Sequence, residues 1–367
     1  MSEVAIGTVM LFAALAILMI IRIPIAFSLA ISAMITATYL GIPYFKLFQK
    51  MSVSLISFTF IAVPFFIMMA QVMTDGEITK KLMAFCNIIV GRVRGGTAIV
   101  NILVSMLFGG ISGSSAADVS SIGAMLIPAM IDEGYDVDYS VAVTVTSSVE
   151  GVIIPPSQNM LFYALASASG ISISTLLICG YVPGILLTLG LMIPAYAIAM
   201  QKKYPLGEKH SLKENVKIVT EAVLGLGAIV IVIAGTSFGV CSATEAAAVA
   251  AVYALVITVV AYRNMTVKKY VEGLKKCLPT MTMAMAIISA SGAFSYVKVP
   301  QNLTTWLLSL TSDKILLTLL LLVMMLILGC FMDMGILILL TTPILYPIAT
   351  GVLGFNPYHF GVVLVLA

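Results

Sequence analysis

Long apolar stretches, separated by short polar segments, run along nearly the whole chain. Each holds roughly 17 residues or more, which is enough helix to cross a ~30 Å hydrocarbon layer. Uninterrupted stretches predict spanning helices at 4–21, 24–40, 52–73, 173–200, 217–236, 243–262 and 279–297. The N-terminus, Met1–Ile21, carries Glu3 and lacks the basic segment of a signal peptide, so we expect the first span to stay in the protein. The pattern as a whole predicts an all-α polytopic membrane protein.

Three further apolar stretches are interrupted near their middle. They are 97–131, interrupted by GGISGSSAAD, 314–349, interrupted by GCFMDMG, and 137–169, interrupted by GVIIPPS. Each half of the first two is too short to cross a bilayer alone, which predicts two re-entrant helix hairpins. The third contains consecutive prolines, Pro155 and Pro156, which cannot continue a helix, so we expect a broken span there.

The same arrangement occurs twice along the chain. Gly110 and Pro128 recur about 220 positions later as Gly329 and Pro347. The predicted domains are a first repeat at 1–200, a cytoplasmic linker at 201–216 and a second repeat at 217–367. Because the first repeat contains an odd number of crossings, the second is predicted to be inverted. By this register roughly fifty residues of the second repeat, with a last span and a second proline loop, are missing from the sequence.

Composition and charge narrow the class of protein and predict its orientation in the membrane. Of the 367 residues 61% are hydrophobic and 10% are charged, whereas a soluble domain carries about 25% charged residues. A soluble enzyme, a nucleic-acid-binding module and a disordered scaffold are therefore excluded. If the N-terminus lies outside, the outer lysines and arginines are Lys46, Lys50, Lys298 and Lys314, and all others lie inside. This bias predicts that the first hairpin opens to the cytoplasm and the second to the outside.

The interrupted helices point to an ion and substrate site. In hydrocarbon an unpaired backbone group costs several kcal/mol, so a broken helix persists only where protein, ions or water satisfy it. Paired broken elements of inverted repeats usually meet near the bilayer midplane. Free carbonyls at helix C-termini suit Na⁺, and the amides that open the next helices, near Ser114 and Ser157, suit an anion. Close helix packing at the Ser/Gly cluster is the alternative.

Charged side chains near these breaks are candidate ligands. Asp118 and Asp333 each follow a hairpin tip and are predicted to hold Na⁺ directly or through the tip backbone. Glu150 adjoins the proline loop, where pairing with a hydroxyl and ion ligation are equally compatible with the sequence. Lys298 ends an apolar stretch and either reaches a carboxylate in the pocket or extends to the outer headgroups. Glu245 stands at the start of an apolar stretch and is predicted to open a helix.

The remaining polar residues point to no catalytic or transition-metal chemistry. The five cysteines show no paired spacing, which predicts neither disulfides nor a zinc site, and Na⁺ is the only metal ion we expect. The runs Lys202–Lys217 and Arg263–Lys276 are interpreted as cytoplasmic orientation signals, with lipid binding as the minor alternative.

Two motifs together resemble a known family. GGISGSSAADVSSIG, followed further along by EGVIIPPSQN, is similar to the large membrane subunit of tripartite ATP-independent periplasmic (TRAP) transporters, and the order of spans matches along the chain. The resemblance implies a Na⁺-coupled secondary transporter of the bacterial inner membrane, not an enzyme, that imports an organic anion such as sialic acid or a C4-dicarboxylate. It also implies an elevator mechanism, a small four-helix membrane subunit and a periplasmic substrate-binding protein.

The resemblance also implies two sodium sites, one at each hairpin tip. The expected sodium ligands are Ser112, Gly113, Ser114, Gly151, Ile154, Pro156, Gly329, Met332 and Asp333. Substrate contacts are expected from Ser115, Asp118, Ser157, Gln158, Asn159 and Lys298. The second site also needs a second proline loop, which this sequence does not contain, so only the first is complete here.

Three other functions agree with part of the sequence. Gly110–Gly113 (GISG) matches the short motif of rhomboid-like intramembrane serine proteases, but neither His210 nor His359 is predicted to lie near it. A stand-alone divalent-anion/sodium symporter would share the hairpins without needing a binding protein. A channel is disfavoured, since hairpins that return to their own side close off a continuous pore.

Overall fold

The computed structural model describes residues 3–56, 61–167, 170–206, 212–296, 313–330 and 333–366. Within these ranges the chain is almost entirely helical and forms no β-strand. The all-α class predicted from the apolar pattern is therefore confirmed.

The first half of the chain contains mostly short helices and ends with a long one. They are α1 (Glu3–Ile20), α2 (Ile25–Tyr39), α3 (Tyr44–Leu55), α4 (Ala62–Asp75), α5 (Ile78–Val90), α6 (Gly96–Ser112), α7 (Ser115–Asp132), α8 (Val137–Ser147), α9 (Glu150–Ile153), α10 (Gln158–Ala166) and α11 (Ile173–Gln201). The break between α6 and α7 and the breaks on either side of α9 fall in or beside the polar segments that the sequence marks as interruptions.

The second half contains two long helices, α12 and α14, with a shorter one between them and three shorter ones after them. They are α12 (Leu212–Ser237), α13 (Ala243–Val256), α14 (Val267–Tyr296), α15 (Lys314–Gly329), α16 (Met334–Pro347) and α17 (Pro357–Leu366). Helix α13 continues into a π-helical turn at Ile257–Ala261, and α16 continues into another at Ile348–Val352.

Several of these helices have the length of membrane spans. Four of the described helices are long and apolar enough to cross a bilayer, or five if the pair Val137–Ile153 and Gln158–Ala166 counts as one span. The two members of that pair are bent by 46°, so the predicted break at the proline loop is present. The interruptions between α6 and α7 and between α15 and α16 are present as well. The re-entrant course of both hairpins stays a prediction.

The structure differs from the apolar pattern in the polar-containing helices. The single span predicted at 52–73 is divided between α3 and α4, and α14 begins well before the predicted start at 279. Helix α5 has no counterpart among the predicted spans. These segments carry lysines within amphipathic helices, so a search for continuous apolar stretches cuts them short or omits them.

The described helices pack as two groups that contact each other directly, as α14 does α16, and also through α5. In one group α13 packs against α4 and α12, while α14 packs against α2, α3 and α4. In the other group α6 packs against α7, α8, α9 and α11, and α10 packs against α16 and α17. Helix α5 contacts both α12 of the first group and α6 of the second. The candidate site lies where α10, α7 and α16 face α4 and α14.

Candidate functional site

A pair of glycines brings the first hairpin tip against the proline loop. A Cβ atom placed on Gly109 of α6 would collide with the Cα atom of Gly151 of α9, and the reverse substitution would collide in the same way. Only glycine permits this backbone separation. The two interrupted elements that the sequence predicted to meet are therefore in direct contact.

Two buried carboxylates lie at this crossing. Asp118 is 1% exposed, and its Oδ2 lies 2.8 Å from the position that a Cβ on Gly109 would occupy. Glu150 is fully buried, and its Oε2 accepts a hydrogen bond of 3.1 Å from the Thr188 hydroxyl. Of the two possibilities left open for Glu150, the hydroxyl partner is present. Both carboxylates lie behind the tip, and neither lines the cavity described below.

Asn159, near the start of α10, connects both tips. Its side chain is 3% exposed, and Nδ2 donates a hydrogen bond of 2.7 Å to the carbonyl oxygen of Gly113 at the first tip. The same Nδ2 lies 3.6 Å from Sδ of Met334, which opens α16 after the second tip. Gly113 has φ of +64°, a conformation that favours glycine, and lies against Gln158. The amide of Asn159 thus joins three interrupted elements.

Three helices begin beside these contacts, each with a side-chain cap. The hydroxyl of Ser114 accepts a hydrogen bond from the backbone amide of Ala117 in α7, and that of Ser157 accepts one from the amide of Met160 in α10. The Asp333 carboxylate accepts one of 3.1 Å from the amide of Gly335 in α16. Helix N-termini carry positive partial charge, so their convergence favours an anion.

A cavity of about 660 Å³ lies next to these helix starts. The predicted site residues that line it are Gly113, Ser114, Ser115, Gln158, Asn159 and Asp333. Further polar residues that line the cavity are Gln71, Thr74, Ser120, Ser121, Lys276 and Thr280. Gln71 had a usable signal, because an amide within an apolar stretch is uncommon in a membrane helix.

The other predicted site residues lie away from the cavity or outside the described part. Gly151, Ile154, Pro156 and Ser157 are buried in the proline loop behind the tip, and Gly329 ends α15. Met332 and Lys298 lie outside the described residues, as does the side chain of Ser112, whose backbone ends α6. Their roles as ligands stay predictions.

Glu245 has the role that the sequence predicted. It completes a capping box at the start of α13, in which its carboxylate accepts a hydrogen bond of 2.7 Å from the backbone amide of Ser242. Its amide in turn donates to the Ser242 hydroxyl. The described residues contain no group of three or more His, Cys, Asp and Glu side chains that could bind a metal ion.

The all-helical fold has a counterpart among solved structures. It is similar to the crystal structure of the Alcanivorax borkumensis YdaH transporter, with a TM-score of 0.61 over 88% of this chain and 76% of that chain. The sequences are 13% identical, so this likeness concerns the fold alone.

Sequence comparison then gives the family. The family model described as the tripartite ATP-independent periplasmic transporter, DctM component, matches residues 12–367, and the chain belongs to this family. The resemblance that the two motifs suggested is therefore confirmed.

Individual relatives agree with this assignment. The sialic acid TRAP transporter large permease protein SiaM of Vibrio cholerae is 34% identical over 94% of this chain and 81% of its own length. The C4-dicarboxylate TRAP transporter large permease protein DctM of Pseudomonas aeruginosa is 36% identical over 84% of this chain and 73% of its own length. An uncharacterized protein of Salmonella typhimurium, YgiK, is 34% identical over 97% and 83%. Relatives named as transport permeases are not enzymes, which favours transport over the protease alternative.

Proposed function

We propose that the chain is the large permease of a TRAP system that imports an organic anion of the sialic acid or C4-dicarboxylate class, coupled to Na⁺. The observation that carries the proposal is the bridge made by Asn159 between the first tip, the start of α10 and the start of α16. It brings the interrupted elements of both halves to one polar cavity, as a site for an ion and an anion requires.

Sodium is proposed to bind at the first tip, against the proline loop. The candidate ligands are the hydroxyls of Ser112 and Ser114 and the backbone groups of Gly113, Gly151, Ile154 and Pro156. The contact between Gly109 and Gly151 supports this assignment, because it holds the two sets of backbone groups together. A second ion is proposed at the other tip, with Gly329, Met332 and Asp333 as ligands.

The anion is proposed to occupy the adjoining cavity. Ser115, Gln158 and Asn159 offer hydroxyl and amide groups there, and the nearby helix N-termini add positive partial charge. Asp118 and Ser157 support this surface from behind, and Lys298 is a further candidate contact. The volume of about 660 Å³ leaves room for a sugar acid as well as for a small dicarboxylate.

Transport is proposed to follow an elevator mechanism. The group that contains α6 to α11 and α15 to α17 would move against the group that contains α4 and α12 to α14. Helix α5 lies between the two groups, since it contacts α4 and α12 of one and α6 of the other. Lys276 belongs to the inner set of cations, so the cavity opens to the cytoplasm in the proposed orientation, with the N-terminus in the periplasm.

The experiment that tests this function is uptake into proteoliposomes. The permease is reconstituted with its small four-helix subunit, and labelled N-acetylneuraminate or succinate is supplied with the periplasmic binding protein. We expect uptake of one anion that needs both an inward Na⁺ gradient and the binding protein. Uptake without the binding protein would instead identify a stand-alone symporter, and uptake indifferent to Na⁺ would exclude the sodium coupling.

A further inference from the structure

The cavity beside the tips has one cationic side chain among its described lining residues. This is Lys276 of α14, whose side chain is 63% exposed. The group that contains α7 and α10 contributes hydroxyls and amides to the same cavity, including Ser114, Ser115 and Gln158. An anion that leaves the tip therefore meets a full positive charge on the wall formed by α4 and α14.

Asp75, at the end of α4, holds this lysine loosely. Nζ of Lys276 lies 3.4 Å from Oδ1 of Asp75, whereas a strong charge-assisted hydrogen bond measures about 2.7–2.9 Å. The carboxylate itself is well fixed: its side chain is 12% exposed, and Nε2 of Gln71 donates to its Oδ2 at 2.8 Å. Because the ammonium is exposed and the pair is long, Lys276 can leave Asp75, while Gln71 continues to donate to Oδ2 of the carboxylate.

We propose that Lys276 receives the carboxylate of the transported anion on the cytoplasmic side, and that Asp75 holds the ammonium when no anion is present. This assignment rests on the proposed function, because it requires an anionic substrate. On leaving the tip, the anion loses its contacts with the amides and hydroxyls there and pairs with the ammonium of Lys276. Lys276 is thus an anion-binding residue of the wall opposite the tips.

The neighbouring Lys275 provides a matched control. It is exposed like Lys276 and contributes equally to the positive-inside bias, but it does not line the cavity. A general electrostatic effect of the cytoplasmic surface would involve both lysines. A specific contact with the anion would involve Lys276 alone.

The test is anion exchange in proteoliposomes that contain the permease and its small subunit in one selected orientation. The binding protein is supplied on the periplasmic side, and N-acetylneuraminate and succinate are the probes. The half-saturating anion concentration is measured separately for the cytoplasmic and periplasmic sides. For Lys276→Gln we expect the cytoplasmic value to rise roughly three- to fivefold, with the periplasmic value unchanged.

Three further variants sharpen the test. Lys276→Arg keeps the charge, so its cytoplasmic half-saturating anion concentration should equal that of the unaltered protein. Lys275→Gln should also leave this concentration unchanged. Asp75→Asn removes the competing carboxylate but keeps an acceptor for Gln71, so the cytoplasmic half-saturating concentration should fall.

Two results would overturn the assignment of Lys276. One is that Lys276→Gln and Lys275→Gln have the same half-saturating anion concentration on the cytoplasmic side. The other is a parallel rise on both sides of the membrane, which would indicate a general loss of structure. If the unaltered protein transports neither probe, the proposed function itself fails, and the assignment fails with it.

Discussion

Gly109 and Gly151 set the separation between the first tip and the proline loop. We expect Gly109→Ala to destabilise the protein by about 1–3 kcal/mol, because its methyl group would meet the backbone of Gly151 and force the two elements apart. Thermal unfolding of the purified protein measures this effect. Since the same contact supports the proposed sodium site, Na⁺ should also protect the variant less well against unfolding.

Gly190 in α11 is the control for this substitution. A Cβ atom placed there would meet nothing within 4 Å, so Gly190→Ala should unfold at or slightly above the temperature of the unaltered protein. If both variants unfold at that temperature, the glycine contact does not limit the packing of the tip. If both are destabilised alike, the effect comes from the added methyl group in general.

The sequence shows which residues are polar more readily than it shows which groups surround them in the fold. The Ser/Gly tip and the amide of Asn159 could be selected because polar groups are costly in hydrocarbon. The sequence does not distinguish Lys276 from Lys275, since the difference lies in which side of α14 borders the cavity. Likewise, the carboxylate of Asp118 packs toward Gly109 and Gly151, a direction that depends on how α6 and α9 cross.

Among the helices, the segment after α11 ties the beginnings of α6 and α8 together. The backbone amide of Gly95 donates to the carbonyl oxygen of Pro205 at 3.2 Å, just before α6. The Tyr204 hydroxyl donates to Oδ2 of Asp136 at 2.9 Å, just before α8, and Lys202 forms an ion pair with the same carboxylate. The ring of Tyr204 also packs against that of Tyr135. These contacts join α6, α8 and α11 at one end. All three belong to the group of helices that is proposed to move.

This cluster gives a prediction about pH. The hydrogen bond from Lys202, followed by that from Tyr204, lowers the pKa of Asp136 below its ordinary value of 3.8. A carboxylate with a lowered pKa stabilises the folded state at neutral pH, and this contribution is lost as the pH falls through the lowered pKa. Asp136→Asn should therefore lower the unfolding temperature near pH 7, and the difference from the unaltered protein should shrink below about pH 4.

Asp132→Asn is the comparison for this pH series. Asp132 is exposed at the end of α7, and the described contacts give it no ion pair. Its substitution should change the unfolding temperature little at any pH. A difference between Asp136→Asn and the unaltered protein that stays constant down to acid pH would contradict the role of the charged pair.

Element boundaries could be predicted wherever one physical signal was strong. Consecutive prolines and the Gly/Ser tips located the breaks around α9 and between α6 and α7, since neither continues a helix in lipid. Helices α3 and α5 were missed, because their lysines interrupt the apolar stretch, although α5 buries one face and α3 buries Leu47. For such helices the number of apolar residues matters less than the face on which they lie.

In the whole molecule, an element that is divided into two helices in the first repeat is a single helix in the second. The register of about 220 positions pairs α3 and α4 of the first half with the single helix α14 of the second. These elements also contact one another, since α14 packs against both α3 and α4. Inverted halves would present such equivalent segments to opposite sides of the membrane.

This predicted inversion can be tested with one cysteine in each half. Lys46 of α3 and Lys268 of α14 occupy nearly equivalent positions and are both exposed. In a Cys330→Ser background, which removes the exposed native thiol, a membrane-impermeant maleimide should label Lys46→Cys in intact spheroplasts and Lys268→Cys only in inverted vesicles. The Cys330→Ser protein itself measures the background from the other four cysteines. Labelling of both positions from the same side would mean that the halves are parallel, and the paired helix breaks could then no longer face each other as an alternating-access mechanism requires.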